Sequence, residues 1–163
     1  MEQTNKELLL KDLCARLPYE VKGIRTYRPR EIVTLNEIIP RCKMNPNVGN
    51  GSFCELGFDK ISDCCTITEF TPYLFPLSSM TEEKAKELSI LYGIKDILSI
   101  NITDEYIDFK VDDGFCSFER KTIWYNEIIS STETFDWLNK NHFDYRGLIK
   151  KGLAIDATGL NIY

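Results

Sequence analysis

The residues best equipped for chemistry lie near the end of the chain, in FDWLNKNHFDYRGLIKKGLAIDA, residues 135–157. His142 is the only histidine, and histidine is the side chain whose ordinary pKa falls near neutrality. Asp136 or Asp144 could orient its imidazole, and a serine or cysteine could be the nucleophile it activates. The same residues also read as the end of a helix. Phe135, Leu138 and His142 recur on one helical face, Gly147 breaks the helix, and Leu148 to Lys151 form a further turn closed by Gly152. Leu148 and Leu153 then hold the positions whose side chains meet in a Schellman motif. Lys150 and Lys151 oppose the negative helix end. Each polar group has a structural use, so the block reads as a helical clip and no catalytic residue is assigned.

Other reactive constellations fall short of their signatures. The six cysteines, at 14, 42, 54, 64, 65 and 116, include no CxxC pair, and metal ligands come in short, regular spacings. A set built from Cys42, Cys54, Cys64 and Cys65 is too irregular, so no metal site is expected. Reduced, partly buried thiols are the expected state. NVGNGS (47–52) lacks the lysine of a phosphate loop and reads as a turn. Asp108, Asp112 and Asp113 lack the ladder of a calcium loop, and Asp113–Gly114 is a hairpin turn. No cofactor is implied.

One segment combines charge with a stacking ring. GIRTYRPR (23–30) carries Arg25, Tyr27, Arg28 and Arg30 within the basic stretch 22–43, the combination found on single-stranded nucleic-acid surfaces. On a continuous strand Arg25 and Tyr27 would share one face and Arg28 the other. Charge that protects a strand edge explains the same residues. A net charge of −5 opposes the phosphate contacts that dominate nucleic-acid affinity, so nucleic acid is the lesser alternative.

The elements that must position these residues make an α+β chain. Thr4 and Glu7 fit a capping box, Leu9, Leu13, Cys14 and Leu17 recur on one face, and Pro18 stops the first helix. VKGIRTY, EIVTLNEII, SFCELGF and CCTITEF then read as four short strands of a small bent antiparallel sheet or partial barrel, with Asn50–Gly51 as a tight turn. PYLFPLSSM (72–80) is a proline-bracketed connector. It leads to a capping box at Ser79 and Glu82 and a middle helix ending at Gly93. ILSINI, YIDFKV and FCSFER form an antiparallel meander that TIWYNEI either extends or leaves as a helix, and Ser130 with Glu133 caps the C-terminal helix. The length suits one domain, or two subdomains with a seam at 72–80.

Three blocks, ELLLKDLCARLPY (7–19), PYLFPLSSMTEE (72–83) and FDWLNKNHFDYRGLIKKGLAIDA (135–157), together resemble a family of small proteins from gut anaerobic, Bacteroides-type bacteria. Many of its members are carried on phage-like or mobile elements. The chain departs from that family's acidic or proline-containing tail by ending in TGLNIY, and it carries a longer segment at 94–130. The resemblance implies a cytoplasmic bacterial protein, accessory to a mobile element. That family has no established activity, so no site residue carries over.

The start of the chain has no signal-peptide core, and no uncharged run is long enough to span a bilayer, so a cytoplasmic protein without membrane contact is expected. Aromatic residues make up 12% of the chain. Some of Tyr73, Phe75, Trp124, Tyr125 and Trp137 must then lie near the surface, where rings dominate interface energetics. The functional expectation is a non-enzymatic accessory domain that binds a protein partner or itself.

Overall fold

The computed structural model describes residues 3–40, 54–58, 64–115 and 117–163. Chain contacts divide it into two compact units, one of residues 1–74 with 146–163 and one of residues 75–145. The first division falls between Leu74 and Phe75, inside the proline-bracketed stretch.

In the first unit, helix α1 (Gln3–Arg16) places Leu9 and Leu13 one turn apart in the core. It stops where Leu17–Tyr19 tightens into a single 3-10 turn around Pro18, because proline offers no N–H to continue the ladder. Strands β1 (Lys22–Arg25) and β2 (Arg28–Pro40) form an antiparallel hairpin, pairing Lys22 with Thr34 and Ile24 with Ile32. Strands β3 (Cys54–Phe58) and β4 (Cys64–Thr66) extend it on one side. Strand β5 (Phe70–Leu74) lies antiparallel to β1 on the other side. The expected connector therefore begins as a strand. Gly23 allows that close pairing, since a Cβ there would lie 2.5 Å from both the Phe70 ring and the Thr71 carbonyl oxygen.

The last strand comes from the far end of the chain. Ile155 and Asp156, numbered β9 in chain order, run parallel to β5, completing a sheet of order β4-β3-β2-β1-β5-β9. This sheet is open, with β4 and β9 at its edges, so the partial-barrel form is not adopted. Leu148, Leu153 and Ala154 join Leu9, Leu13, Phe70 and Leu74 in one core. The Leu153 N–H donates to the Leu148 carbonyl and Gly152 sits at φ 68°, the turn expected from the sequence.

Two polar features hold that return. The Asp12 carboxylate accepts from Arg16 Nε at 2.6 Å and from Arg146 Nε at 3.1 Å, with Asp12 and Arg16 wholly buried. The Tyr163 hydroxyl accepts from the Lys22 backbone N–H at 3.0 Å and donates to the Tyr73 carbonyl at 2.8 Å. Although Tyr163 as a residue is 40% exposed, desolvation of its hydroxyl pushes its pKa up to about 12, against a smaller opposing pull from the Lys22 N–H.

The second unit packs two helices on a three-stranded meander. Helix α2 (Glu82–Leu91) is capped by Thr81, whose hydroxyl accepts from the Lys84 N–H at 3.3 Å. The expected cap, Ser79, instead ends a separate 3-10 turn over Leu77–Ser79. That turn brings Leu77 and Met80 into the core and moves the helix start along the chain. Gly93, at φ 67°, ends α2 as expected. Strands β6 (Ile97–Ile102), β7 (Tyr106–Asp112) and β8 (Phe118–Trp124) come next, in the order β6-β7-β8. Helix α3 (Thr132–Lys140) starts on Ser131, one residue later than expected, with its hydroxyl accepting from the Thr134 N–H. The core gathers Leu88, Ile107, Phe109, Ile123, Leu138 and Phe143.

Asp12→Asn should lower stability by about 3–5 kcal/mol in chemical denaturation, because it removes the buried carboxylate that Arg16 and Arg146 both bind. A loss under about 1 kcal/mol would show the cluster to be incidental. Tyr163 gives a pH signature. Its folded pKa lies above the value of 10.0 for an unperturbed tyrosine, so its contribution is intact below about pH 10 and fades as pH rises towards 12. Tyr163→Phe should flatten the alkaline fall in stability over that window.

Candidate functional site

His142 lies just beyond the end of α3. The His142 N–H donates to the Asn139 carbonyl at 3.1 Å and the Phe143 N–H to the Leu138 carbonyl at 3.0 Å. His142 itself has φ 56°, the left-handed position that closes a helix and is usually filled by glycine. Its carbonyl accepts from the Phe75 N–H, and the Asp144 N–H donates to the Phe75 carbonyl. The His142 residue is 7% exposed and Asp144 9%. Around them, Asn139 donates its amide to the Phe135 carbonyl and accepts from the Tyr145 hydroxyl at 2.8 Å. The polar block therefore closes the helix and fastens residues 142–145 to Phe75 and Asn139. It does so earlier than the sequence suggested, at Lys140 rather than Gly147, because His142 takes the conformation that ends it.

The basic segment is split by the β1–β2 hairpin. Thr26 and Tyr27 form its turn, pinned by the Thr26 N–H and hydroxyl, which both donate to the Glu69 carbonyl. Arg25 is consequently paired with Arg28 across the strands, and the strand expected over VKGIRTY ends at Arg25 instead of reaching Tyr27. The Arg25 side chain is wholly buried. It donates to Glu31 Oε2 at 2.8 Å and lies over the rings of Tyr27 (5.3 Å) and Phe58 (5.5 Å). Its charge is engaged inside the fold by Glu31. Tyr27, Arg28 and Arg30 are exposed. Arg28 and Arg30 line a shallow hollow of about 380 Å³ with Pro29 and Glu31, and Arg28 Nη1 lies 3.4 Å from the same Glu31 oxygen. Arg41 and Lys43 lie outside the described residues, as do Asn50–Gly51 and the cysteines at 42 and 116.

Cys65 is buried and Cys14 exposed. Among the described residues no group of three His, Cys, Asp or Glu side chains converges as a metal site would require. Nor is any described helix long and apolar enough to cross a membrane.

A third surface was not singled out from the sequence. Pairing of β7 with β8 puts Tyr106 opposite Trp124, Asp108 opposite Thr122, Lys110 opposite Arg120 and Asp112 opposite Phe118. Side chains alternate between faces along a strand. With Ile107, Phe109, Val111 and Ile123 in the core, these four pairs occupy the outer face. The rings of Tyr106 and Trp124 are 4.9 Å apart, and Lys110 Nζ lies 3.8 Å above the Phe118 ring. Thr122 donates to Asp108 at 3.1 Å, while Arg120 lies 3.8 Å from the same carboxylate. Trp124 is 46% exposed, Phe118 52% and Phe115, in the connecting turn, 88%. Of the rings expected near the surface, Trp124 is exposed, Phe75, Tyr125 and Trp137 are half-buried and Tyr73 is buried. The alternation of Phe118, Arg120, Thr122 and Trp124 was present in the sequence. Only the register shows that it meets Tyr106 and Lys110.

Compared with family models, with curated proteins and with solved structures, the chain matches none of them.

If His142 serves the backbone turn, substitutions should rank by tolerance of positive φ. His142→Val should be about 1–2 kcal/mol less stable than His142→Asn, since asparagine enters the left-handed region readily and a β-branched residue does not. Equal stabilities in thermal or chemical unfolding would contradict this.

Proposed function

We propose that the chain is a non-enzymatic protein-interaction domain and that a protein partner docks on the outer face of the β6-β7-β8 sheet. The observation that carries this reading is the exposure of Phe118 and Trp124 beside Tyr106, Lys110 and Arg120 on one sheet. Exposed aromatic and arginine side chains supply most of the energy in interfaces. Here several are held by cross-strand contacts before any partner arrives, so little side-chain freedom is lost on binding. The face carries both signs of charge, with Lys110 and Arg120 against Asp108 and Asp112, which suits a mixed protein surface better than a polyanion.

Nucleic-acid binding through Arg25, Tyr27, Arg28 and Arg30 is the weaker reading, because Arg25 is buried and Glu31 competes for Arg28. The resemblance in the three sequence blocks would make this a cytoplasmic accessory domain encoded by a mobile element.

The test is capture from native-host extract with the parent protein and with a Phe118→Ser/Trp124→Ser variant whose folding is checked by circular dichroism. One protein retained by the parent should bind the variant at least tenfold more weakly, the scale of losing hot-spot side chains. Equal retention by both proteins would sink the proposal. Retention abolished by nuclease and by Arg28→Ala/Arg30→Ala would favour the nucleic-acid reading instead.

A further inference from the structure

The outer face of the β6-β7-β8 sheet has an aromatic step at one end. Tyr106 on β7 and Trp124 on β8 are cross-strand partners, with ring centroids 4.9 Å apart and planes inclined at 60°. Trp124 is 46% exposed and Tyr106 half-buried, so the two rings form an angled apolar surface open to solvent. The backbone beneath them is fastened. The Thr103 hydroxyl accepts from the Tyr106 N–H at 3.1 Å and donates to the Tyr106 carbonyl at 3.0 Å, and the Tyr125 N–H donates to the Glu105 carbonyl at 2.9 Å.

We infer that this step binds a proline-rich segment of the protein partner in the polyproline II conformation. The inference rests on the proposed use of this sheet face and names the chemistry of what docks there. Three observations select that chemistry.

The first is the balance of donors and acceptors. Among the described residues, the Trp124 indole N–H and the Tyr106 hydroxyl have no hydrogen-bond partner. The Arg120 side chain, 72% exposed, has only the Asp108 carboxylate, at 3.8 Å. The carboxylates of the face are already engaged, since Asp108 Oδ1 accepts from Thr122 at 3.1 Å and Asp112 Oδ1 from the Gly114 N–H at 2.9 Å. The groups left open around the rings can all donate, and their electrostatic complement is a row of oxygens.

The second is the backbone of the occupant. A helix or a sheet docked here would keep most of its carbonyls in its own ladder, and burial against it would leave the indole N–H unsatisfied at a cost. A polyproline II segment makes no internal hydrogen bonds, so its carbonyls stand free to accept. Each proline also lacks the N–H that would itself need an acceptor.

The third is shape. Aromatic-lined surfaces recognise polyproline II ligands because pyrrolidine rings pack on aromatic faces and the ligand's conformation is preformed, so little entropy is lost on docking. The inclination of the Tyr106 ring to the Trp124 ring offers two apolar faces at an angle. A helix with three residues per turn can lay neighbouring sides against both.

Titration of the full chain with decaproline, followed by nuclear magnetic resonance through the indole N–H signals, tests the inference. The chain has two tryptophans, and the other, Trp137, already donates its Nε1–H to Glu87 at 3.1 Å, so it serves as an internal control. Decaproline at up to about 1 mM, the range of weak contacts, should shift the Trp124 signal saturably and leave that of Trp137 in place. A glycine–serine peptide of the same length should shift neither. Two variants are read through the Tyr106 backbone amide. Trp124→Phe, which keeps a ring and removes the donor, should weaken binding about three- to tenfold, the scale of one hydrogen bond. Trp124→Ser should weaken it about tenfold or more. A Trp124 signal that decaproline moves no further than the glycine–serine peptide does overturns the inference, as does Trp124→Phe binding as tightly as the parent. Should decaproline fail while a native-host protein is still lost on Phe118→Ser/Trp124→Ser, the sheet-face reading stands and this one falls.

Discussion

The Asp12 carboxylate is the constraint on which the first unit depends. A wholly enclosed anion is costly unless cations and hydrogen bonds surround it. Asp12 has one partner nearby in sequence, Arg16, and one far along it, Arg146. The near pair could form in an isolated helix. The far one forms only when residues 146–163 return to α1. That return also delivers Leu148 and Leu153 to the core, adds β9 beside β5, and brings the Tyr163 hydroxyl between Lys22 and Tyr73. Replacing the whole cluster with apolar residues could serve stability as well. A carboxylate with two guanidiniums, however, fixes one arrangement of three side chains where apolar packing would tolerate several.

The second unit divides its labour differently. One side of its sheet is given to Ile107, Phe109, Val111 and Ile123, and the opposite side holds its aromatic residues in contact with charged and hydroxyl groups. The Lys110 ammonium over Phe118 and the Tyr106–Trp124 contact give those rings partners without covering them. Exposed apolar surface of this kind is a liability in a monomer. Its concentration on one sheet face is what turns the liability into a functional argument.

Local signals were legible where a single residue type decides the backbone. Gly93 and Gly152 close their turns at positive φ and Pro18 ends α1, each for a reason contained in a few residues. Signals failed where two local solutions were nearly equal. Ser79 and Thr81 both make good caps, and burial of Leu77 and Met80 chose between them. Thr26–Tyr27 has no strong turn signature, and a carbonyl 43 residues away holds it. His142 looked reactive because it was alone in kind. Its backbone, held by Asn139 and Phe75, gave it a task that glycine usually performs.

The sequence by itself determined the α+β class, the approximate places of three helices and of the β6-β7-β8 meander, and the polar character of the terminal block. These come from periodicity, caps and turns, which are properties of neighbours. Only the tertiary structure decided that Arg25 is interior while Arg28 is exposed, that Asp12 has a second partner, and that Tyr106, Lys110, Phe118 and Trp124 share a surface. Burial of a charge and the register between strands depend on residues distant in the chain, and no local pattern encodes which distant residue will arrive.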